Sequence, residues 1–134
     1  MATIERFEDL EIWKKARELC QLIYTYTKKE LFSRDFKLVA QIRSSCGSIM
    51  DNVAEGFERG GNKEFSQFIW IAKGSSGEVR SQLYRSLDNN YITQEEFLQA
   101  YNLSLEISSM SKNLIDYLNS SEIKGTKFKK KDSK

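Results

Sequence analysis

Apolar residues return every third or fourth position through four long stretches of this 134-residue chain, and no proline interrupts any of them. Such spacing lines one stripe of a helix, whereas a strand alternates by twos. Without proline, and with only seven glycines, little breaks those helices. The expected class is all-α. The length suits one domain with a real core rather than two, and residues 1–121 are read as that domain.

The first stretch runs from about Asp9 to Glu30, with Trp13, Ala16, Cys20, Ile23 and Thr27 on one face. A break near Phe32-Ser33-Arg34 leads to Asp35, whose carboxylate suits an N-cap, and a second helix carries Leu38, Ile42, Cys46, Ile49, Val53 and Phe57 to the glycine pair Gly60-Gly61. Asn62 is the expected cap of a third, which places Phe65, Ile69, Ala72, Ser76, Val79, Leu83 and Leu87 on one side before Asp88-Asn89-Asn90. Thr93-Gln94-Glu95-Glu96 then has the S/T-x-x-E spacing of a capping box. The fourth helix follows as a heptad seam through Ala100, Leu103, Ile107, Met110, Leu114 and Tyr117. Connections this short force neighbours to run antiparallel, which predicts an up-down-up-down four-helix bundle. Its expected core includes Trp13, Cys20, Ile49, Val53, Ile69, Leu83, Ile107 and Leu114.

Composition excludes much chemistry. The chain has no histidine, hence no Ser-His or Cys-His pair and no helical E-x-x-H of a di-iron bundle. It also lacks a phosphate-cradling glycine loop. The expectation is a protein without catalytic residues, metal or cofactor. Cys20 and Cys46 fall on apolar faces without C-x-x-C spacing and read as reduced, buried thiols. No apolar run is long enough to span a bilayer, and the N-terminus lacks a signal-peptide pattern, so no membrane partner and a cytoplasmic location are expected. The net charge of +2 is uneven. Residues 122–134 hold six lysines against two acids, which leaves 15 basic and 17 acidic residues in 1–121. The excess is a basic C-terminal tail, 122–134, of sequence-blind attraction or mere solubilising value.

Three surfaces are singled out. Beside the apolar stripe of the second helix runs a polar one, Gln41, Ser45, Ser48, Asn52, Glu55 and Arg59. Short, poor helix formers at Ser45 and Ser48 suit close approach with hydrogen bonds across it better than a wet shoulder does. On the third helix Trp70 and Ile71 fall outside the core stripe, which marks them as oligomer-interface candidates. Lys14, Arg17, Tyr24 and Lys28 on the first helix, and Lys73, Arg80 and Tyr84 on the third, combine cations for phosphates with rings for stacking; they are the nucleic-acid-binding candidates.

The segments F-E-D-L-E-I-W-K-K-A, Q-I-R-S-S-C-G-S-I-M-D-N-V-A-E-G and E-F-S-Q-F-I-W-I-A-K-G-S-S-G-E, in that order, resemble the bacterial four-helix-bundle family encoded by intervening sequences in large-subunit ribosomal RNA genes. The likeness covers about Phe7 to Leu118. Its most specific part is S-I-x-x-N-x-A-E-G, met by Ser48, Asn52, Glu55 and Gly56, followed by G-S-x-x-E with Ser75 and Glu78. The family includes the accessory variability proteins of diversity-generating retroelements. The resemblance implies a four-helix protomer, a closed homo-oligomer, with a pentamer the expected number, and no catalysis. For the retroelement members it implies binding of RNA or DNA and of a reverse transcriptase. The motif residues are expected to serve packing and assembly. The functional expectation is therefore weak nucleic-acid binding without sequence preference, with a protein scaffold for a reverse transcriptase or ribonucleoprotein as the alternative.

Overall fold

The structure, a computed structural model, describes residues 3–120; the basic tail lies outside the described residues. A 3-10 turn at Phe7–Asp9 precedes helices α1 (Glu11–Thr27), α2 (Glu30–Ser33), α3 (Phe36–Arg59), α4 (Asn62–Asp88) and α5 (Gln94–Ser120), and no strand occurs among the described residues. The expected break after the first long helix thus holds one further helical turn, α2. Its Phe32 is buried and stacks on Tyr91 at 5.0 Å, so the chain reverses over an apolar plug.

The four long helices pack in a cycle. α1 lies against α3 and α5, and α4 lies against α3 and α5, which places α1 and α4 diagonally. Along α3 and α4 the pairings run in opposite order: Gln41 meets Arg85 near one end, and Ser48 meets Ser75 further along. None of the described helices is long and apolar enough to cross a membrane.

The caps follow local chemistry. Asp35 Oδ1 accepts from the Leu38 N–H at 3.1 Å, and Tyr91 donates its hydroxyl to Asp35 Oδ2 at 2.8 Å. The Leu38 N–H foremost, then the Tyr91 hydroxyl, hold that carboxyl below its ordinary range. At the start of α5 the Glu96 N–H donates to Thr93 Oγ1 and the Thr93 N–H donates to Glu96 Oε1, the reciprocal pair of a capping box. Lys29 adds an ion pair of 2.6 Å to the same carboxylate. Partial burial pushes the Glu96 carboxyl up, but Lys29 and the Thr93 donors outweigh it and leave the group below its usual value. Gly60 ends α3 at φ +91°, a left-handed conformation that costs glycine nothing. Asn62 does not cap α4: the helix begins one residue earlier, with Gly61 at the N-cap, and Asn62 is already helical and buried.

Of the expected core, Ile49, Val53, Ile69, Leu83 and Ile107 are fully buried. Trp13, Cys20 and Leu114 are only half-buried at its margin. In α1 the interior is rotated to Ile12, Ala16, Leu19, Ile23 and Tyr26. The wide apolar arc left two registers open, and Trp13 instead packs edge-on against Phe7 of the 3-10 turn at 5.2 Å. In α5 the interior follows Ile107 with Ser111, Ile115 and Leu118 rather than Met110, Leu114 and Tyr117. A straight helix drifts by about 20° per heptad from a strict seven-residue repeat, so the seam slips to the next residue. Buried Tyr26 donates its hydroxyl to the Glu96 carbonyl at 3.0 Å, and burial pushes its phenol up to about 12.

Candidate functional site

Because α1 and α4 are diagonal, the two basic and aromatic stripes face different directions on one protomer. On the α1 side, Lys14, Arg17 and Lys28 are exposed, and Lys14 pairs with Glu11 at 3.5 Å. The Arg17 guanidinium lies over Trp13 at 5.9 Å. Tyr24 is covered by Arg43 of α3, whose guanidinium sits 4.3 Å from the ring centre while its Nε donates to Thr27 Oγ1. Arg43 was not singled out in the sequence, because on α3 alone it is one polar residue among many; its role comes from the neighbouring helix. This edge is a row of cations on aromatic rings, a geometry worth about 0.5–1 kcal/mol per exposed contact.

The α4 stripe behaves differently. Lys73 sits over Trp70 at 5.8 Å. Arg80 turns inward at the α4/α5 seam, where its Nη1 donates to Ser108 Oγ at 2.8 Å, Ser104 Oγ at 3.1 Å and the Ser104 carbonyl at 3.3 Å. Beneath it Ser76 and Ser104 exchange bonds, each hydroxyl donating to the other's carbonyl at 2.9 Å. Tyr84 joins Phe97 and Tyr101 in an aromatic cluster with centroids 4.9 and 5.6 Å away. Of this stripe Arg80 is therefore committed to contacts within the protomer, whereas Lys73 lies over a ring as Arg17 does and Tyr84 stays as exposed as Tyr24.

The α3/α4 seam holds the motif residues. Ser48 and Ser75 hydroxyls meet at 2.9 Å, and the Asn52 amide donates to the Ser48 carbonyl and hydroxyl at 2.8 and 2.9 Å. At Gly56 a Cβ would lie 2.6 Å from Phe68 Cβ and 3.0 Å from the Phe65 ring, so the absent side chain sets how closely α3 approaches α4. Glu55 points outward and pairs with Arg59 of its own helix at 3.3 Å, and Arg59 reaches Glu64 at 3.6 Å. Glu78 stands at the rim of the seam and is exposed. Trp70 and Ile71 are 51% and 53% exposed. The Cys46 thiol of α3 is buried and Cys20 of α1 half-buried; the contact between the two thiols, with burial, pushes Cys46 well above the ordinary thiol range. Among the described residues no three His, Cys, Asp or Glu side chains converge as metal ligands would.

Residues 8–113 match the family described as 23S rRNA-intervening sequence protein. The chain belongs to that family. Among solved structures, a protein of unknown function from the S23 ribosomal protein family of Bacteroides thetaiotaomicron is similar with a TM-score of 0.71 and 24% identity. The match covers 78% of this chain and 97% of that one, and supports the helical fold alone. No curated protein matches. Membership in the intervening-sequence family accounts for the fold and for the order of the motif segments.

Proposed function

We propose that this chain is a non-enzymatic, cytoplasmic up-down-up-down bundle that assembles into a closed homo-oligomer and binds RNA or DNA weakly and without sequence preference. A pentamer is the expected number. The observation that carries the binding is the α1 edge, where Lys14, Arg17 and Lys28 are exposed beside rings at Trp13 and Tyr24. The diagonal arrangement supports a division of labour: Trp70 and Ile71 on α4 supply apolar surface for neighbouring copies while α1 faces outward. One protomer offers few cations, and each phosphate neutralised contributes a salt slope of about 0.7–0.9, so affinity depends on several copies acting together. A second reading, a scaffold for a reverse transcriptase or other protein, is favoured by one further observation: Phe36 at the start of α3 is 81% exposed and Leu31 of α2 50% exposed.

Light scattering and mobility shift at varied salt, with structured RNA and single-stranded DNA, test the proposal. Trp70→Glu is expected to separate the copies and weaken binding. Combined Lys14→Ala, Arg17→Ala and Lys28→Ala is expected to weaken binding while assembly persists. A monomeric wild type, or one that binds no nucleic acid at low salt, rejects the proposal and leaves the scaffold reading.

A further inference from the structure

Cys20 and Cys46 are the chain's only cysteines, and the fold brings them together. Cys20 belongs to α1 and Cys46 to α3, two helices packed against each other, and the two thiols meet in hydrogen-bonding contact at that seam. A single buried cysteine packs as a small apolar group and calls for no special reason. Two in contact across neighbouring helices differ, because facing side chains at that range are the arrangement from which a disulfide closes. Apolar carbon fills the core positions around them, Ala16, Ile23, Ile42 and Ile49 among them; sulfur stands on both sides of this one contact.

The two thiols are unequal. Cys46 is fully buried, and its Sγ donates to the Arg43 carbonyl at 3.4 Å. Cys20 is half-buried and reachable from solvent. Donation from the Cys46 thiol holds Cys20 below the ordinary thiol range, against burial and the Asp51 carboxylate. The same contact, with burial, pushes Cys46 well above that range. The thiolate is the nucleophile, so Cys20 is the sulfur that reacts first, while Cys46 stays protonated and shielded until its neighbour changes. Among the described residues no third Cys, Asp or Glu converges on the pair to make it a metal site.

We propose that Cys20 and Cys46 are a redox modification site, oxidised by hydroperoxides to an intrachain disulfide that ties α1 to α3. With hydrogen peroxide, the Cys20 thiolate attacks one oxygen and the O–O bond breaks. The departing hydroxide takes up the proton that Cys20 had released and becomes water, and Cys20 is left as a sulfenic acid. The Cys46 sulfur then attacks the Cys20 sulfur, the S–O bond breaks, and hydroxide leaves with the Cys46 proton as a second water. Two thiols have lost two electrons, and the peroxide has gained them. A thiol reductant reverses the change by exchange. The bond lies one helical turn from Tyr24 on α1 and from Arg43 on α3, so oxidation fixes the place where Arg43 already holds α1 through Tyr24 and Thr27. The inference stands apart from the nucleic-acid reading, because neither sulfur is among the groups that carry it.

The test treats the full chain with graded hydrogen peroxide at neutral pH, blocks the remaining thiols with iodoacetamide, and maps peptides by mass spectrometry without reduction. Both free thiols are expected to disappear together, with one peptide pair joining Cys20 to Cys46 in a chain that stays single on a non-reducing gel. Dithiothreitol is expected to restore both. The melting temperature of the oxidised chain is expected to rise by about 5 °C, since the bond closes a loop in the unfolded chain. In Cys46→Ser, Cys20 is expected to stop at the sulfenic acid and be trapped by dimedone; in Cys20→Ser, oxidation of Cys46 is expected to slow by about tenfold or more. Early dimedone trapping in wild type gives the same order of reaction without either variant, should a buried serine unfold the chain. The proposal is overturned if peroxide that oxidises the urea-unfolded chain leaves both folded thiols free, if Cys20 advances to the sulfinic acid while Cys46 stays free, if Cys46 is trapped first, or if the link joins two chains. A melting temperature at or below that of the reduced chain also overturns it, because the sulfurs would then join only by forcing the helices out of their native packing.

Discussion

Helix α4 faces a neighbour on each side through a polar seam, and the two seams are built to different standards. Toward α5, Ser76 and Ser104 are fully buried and bond each other reciprocally, Ser108 donates to Ser76, and Arg80 lies across all three. Every group there has a partner. Toward α3, one end is tied by Ser48, Ser75 and Asn52 and drawn close at Gly56, while the other opens into a cleft lined by Gln41, Ser44 and Gln82, and Gln82 keeps a buried acceptor without a donor. A satisfied buried network rigidifies, whereas an unsatisfied group marks either strain or an absent partner. Polarity inside this bundle thus serves two ends: the α4/α5 seam fixes register, and the α3/α4 seam combines a lock with an opening.

The largest effect is expected from breaking the satisfied seam. Ser104→Leu forces a larger side chain into a fully buried position and strips partners from Ser76 and Arg80 at once. Overpacking and lost hydrogen bonds together cost about 2–4 kcal/mol, to be read from urea denaturation. Next comes the lock of the other seam. Gly56→Ala places a Cβ 2.6 Å from Phe68 Cβ, and that carbon moves only if α4 moves. Strain of about 1–3 kcal/mol works against the gain of about 1 kcal/mol that alanine brings to a helix, for a net loss of up to about 2 kcal/mol. A stability equal to or above wild type would show that the approach at Gly56 is slack.

What was legible in the sequence was what local chemistry decides. The capping residues Asp35 and Thr93–Glu96 are read within four positions of themselves, and the structure has both. The long helices follow from the 3-4 spacing, although the heptad reading of α5 failed beyond Ile107 because a straight helix does not keep a seven-residue period. The face of α1 was ambiguous for a related reason, since Ile12 and Trp13 each begin a plausible stripe and only the 3-10 turn carrying Phe7 decides between them. Arg43, which covers Tyr24, and Gln82, whose acceptor is unfilled, were invisible: a polar residue on a polar helix carries no mark of which neighbour it meets. The polar stripe of α3 was visible as an anomaly, but its division into a lock, a cleft wall and, at Glu55, a surface ion pair needed the second helix.

Within the α3/α4 lock itself, Ser48→Ala removes the bond to Ser75 and one of the two that Asn52 makes. Both lie at a half-buried edge where water can replace the lost partner, so the expected cost is about 0.5–1.5 kcal/mol. It should stay below that of Ser104→Leu. A cost as large would mean that the two seams are equally rigid, and the contrast between them would fail.

The smallest expected effect separates both seams from the end of the bundle where α1 and α4 finish and α3 and α5 begin. The bonded groups of the two seams are serine hydroxyls, an amide and a guanidinium, with no carboxylate among them. That end rests on carboxylates, Asp35 under Tyr91 and Glu96 beside Lys29, both held below their ordinary values in the fold. For a carboxyl so depressed, the unfolded chain takes up its proton first as pH falls. The stabilisation is therefore whole above the unfolded value near 4 and lost as pH drops through the lower folded one. Wild type should lose stability across that window, and Asp35→Asn, which keeps a competent N-cap, should flatten the loss while leaving neutral stability little changed. Ser48→Ala and Ser104→Leu should instead give curves parallel to wild type, displaced but with the same slope, in melting temperatures recorded from pH 6 to 3. If either serine variant changes the slope, a seam is coupled to the titrating end, and the bundle responds to acid as one unit rather than from that end inward.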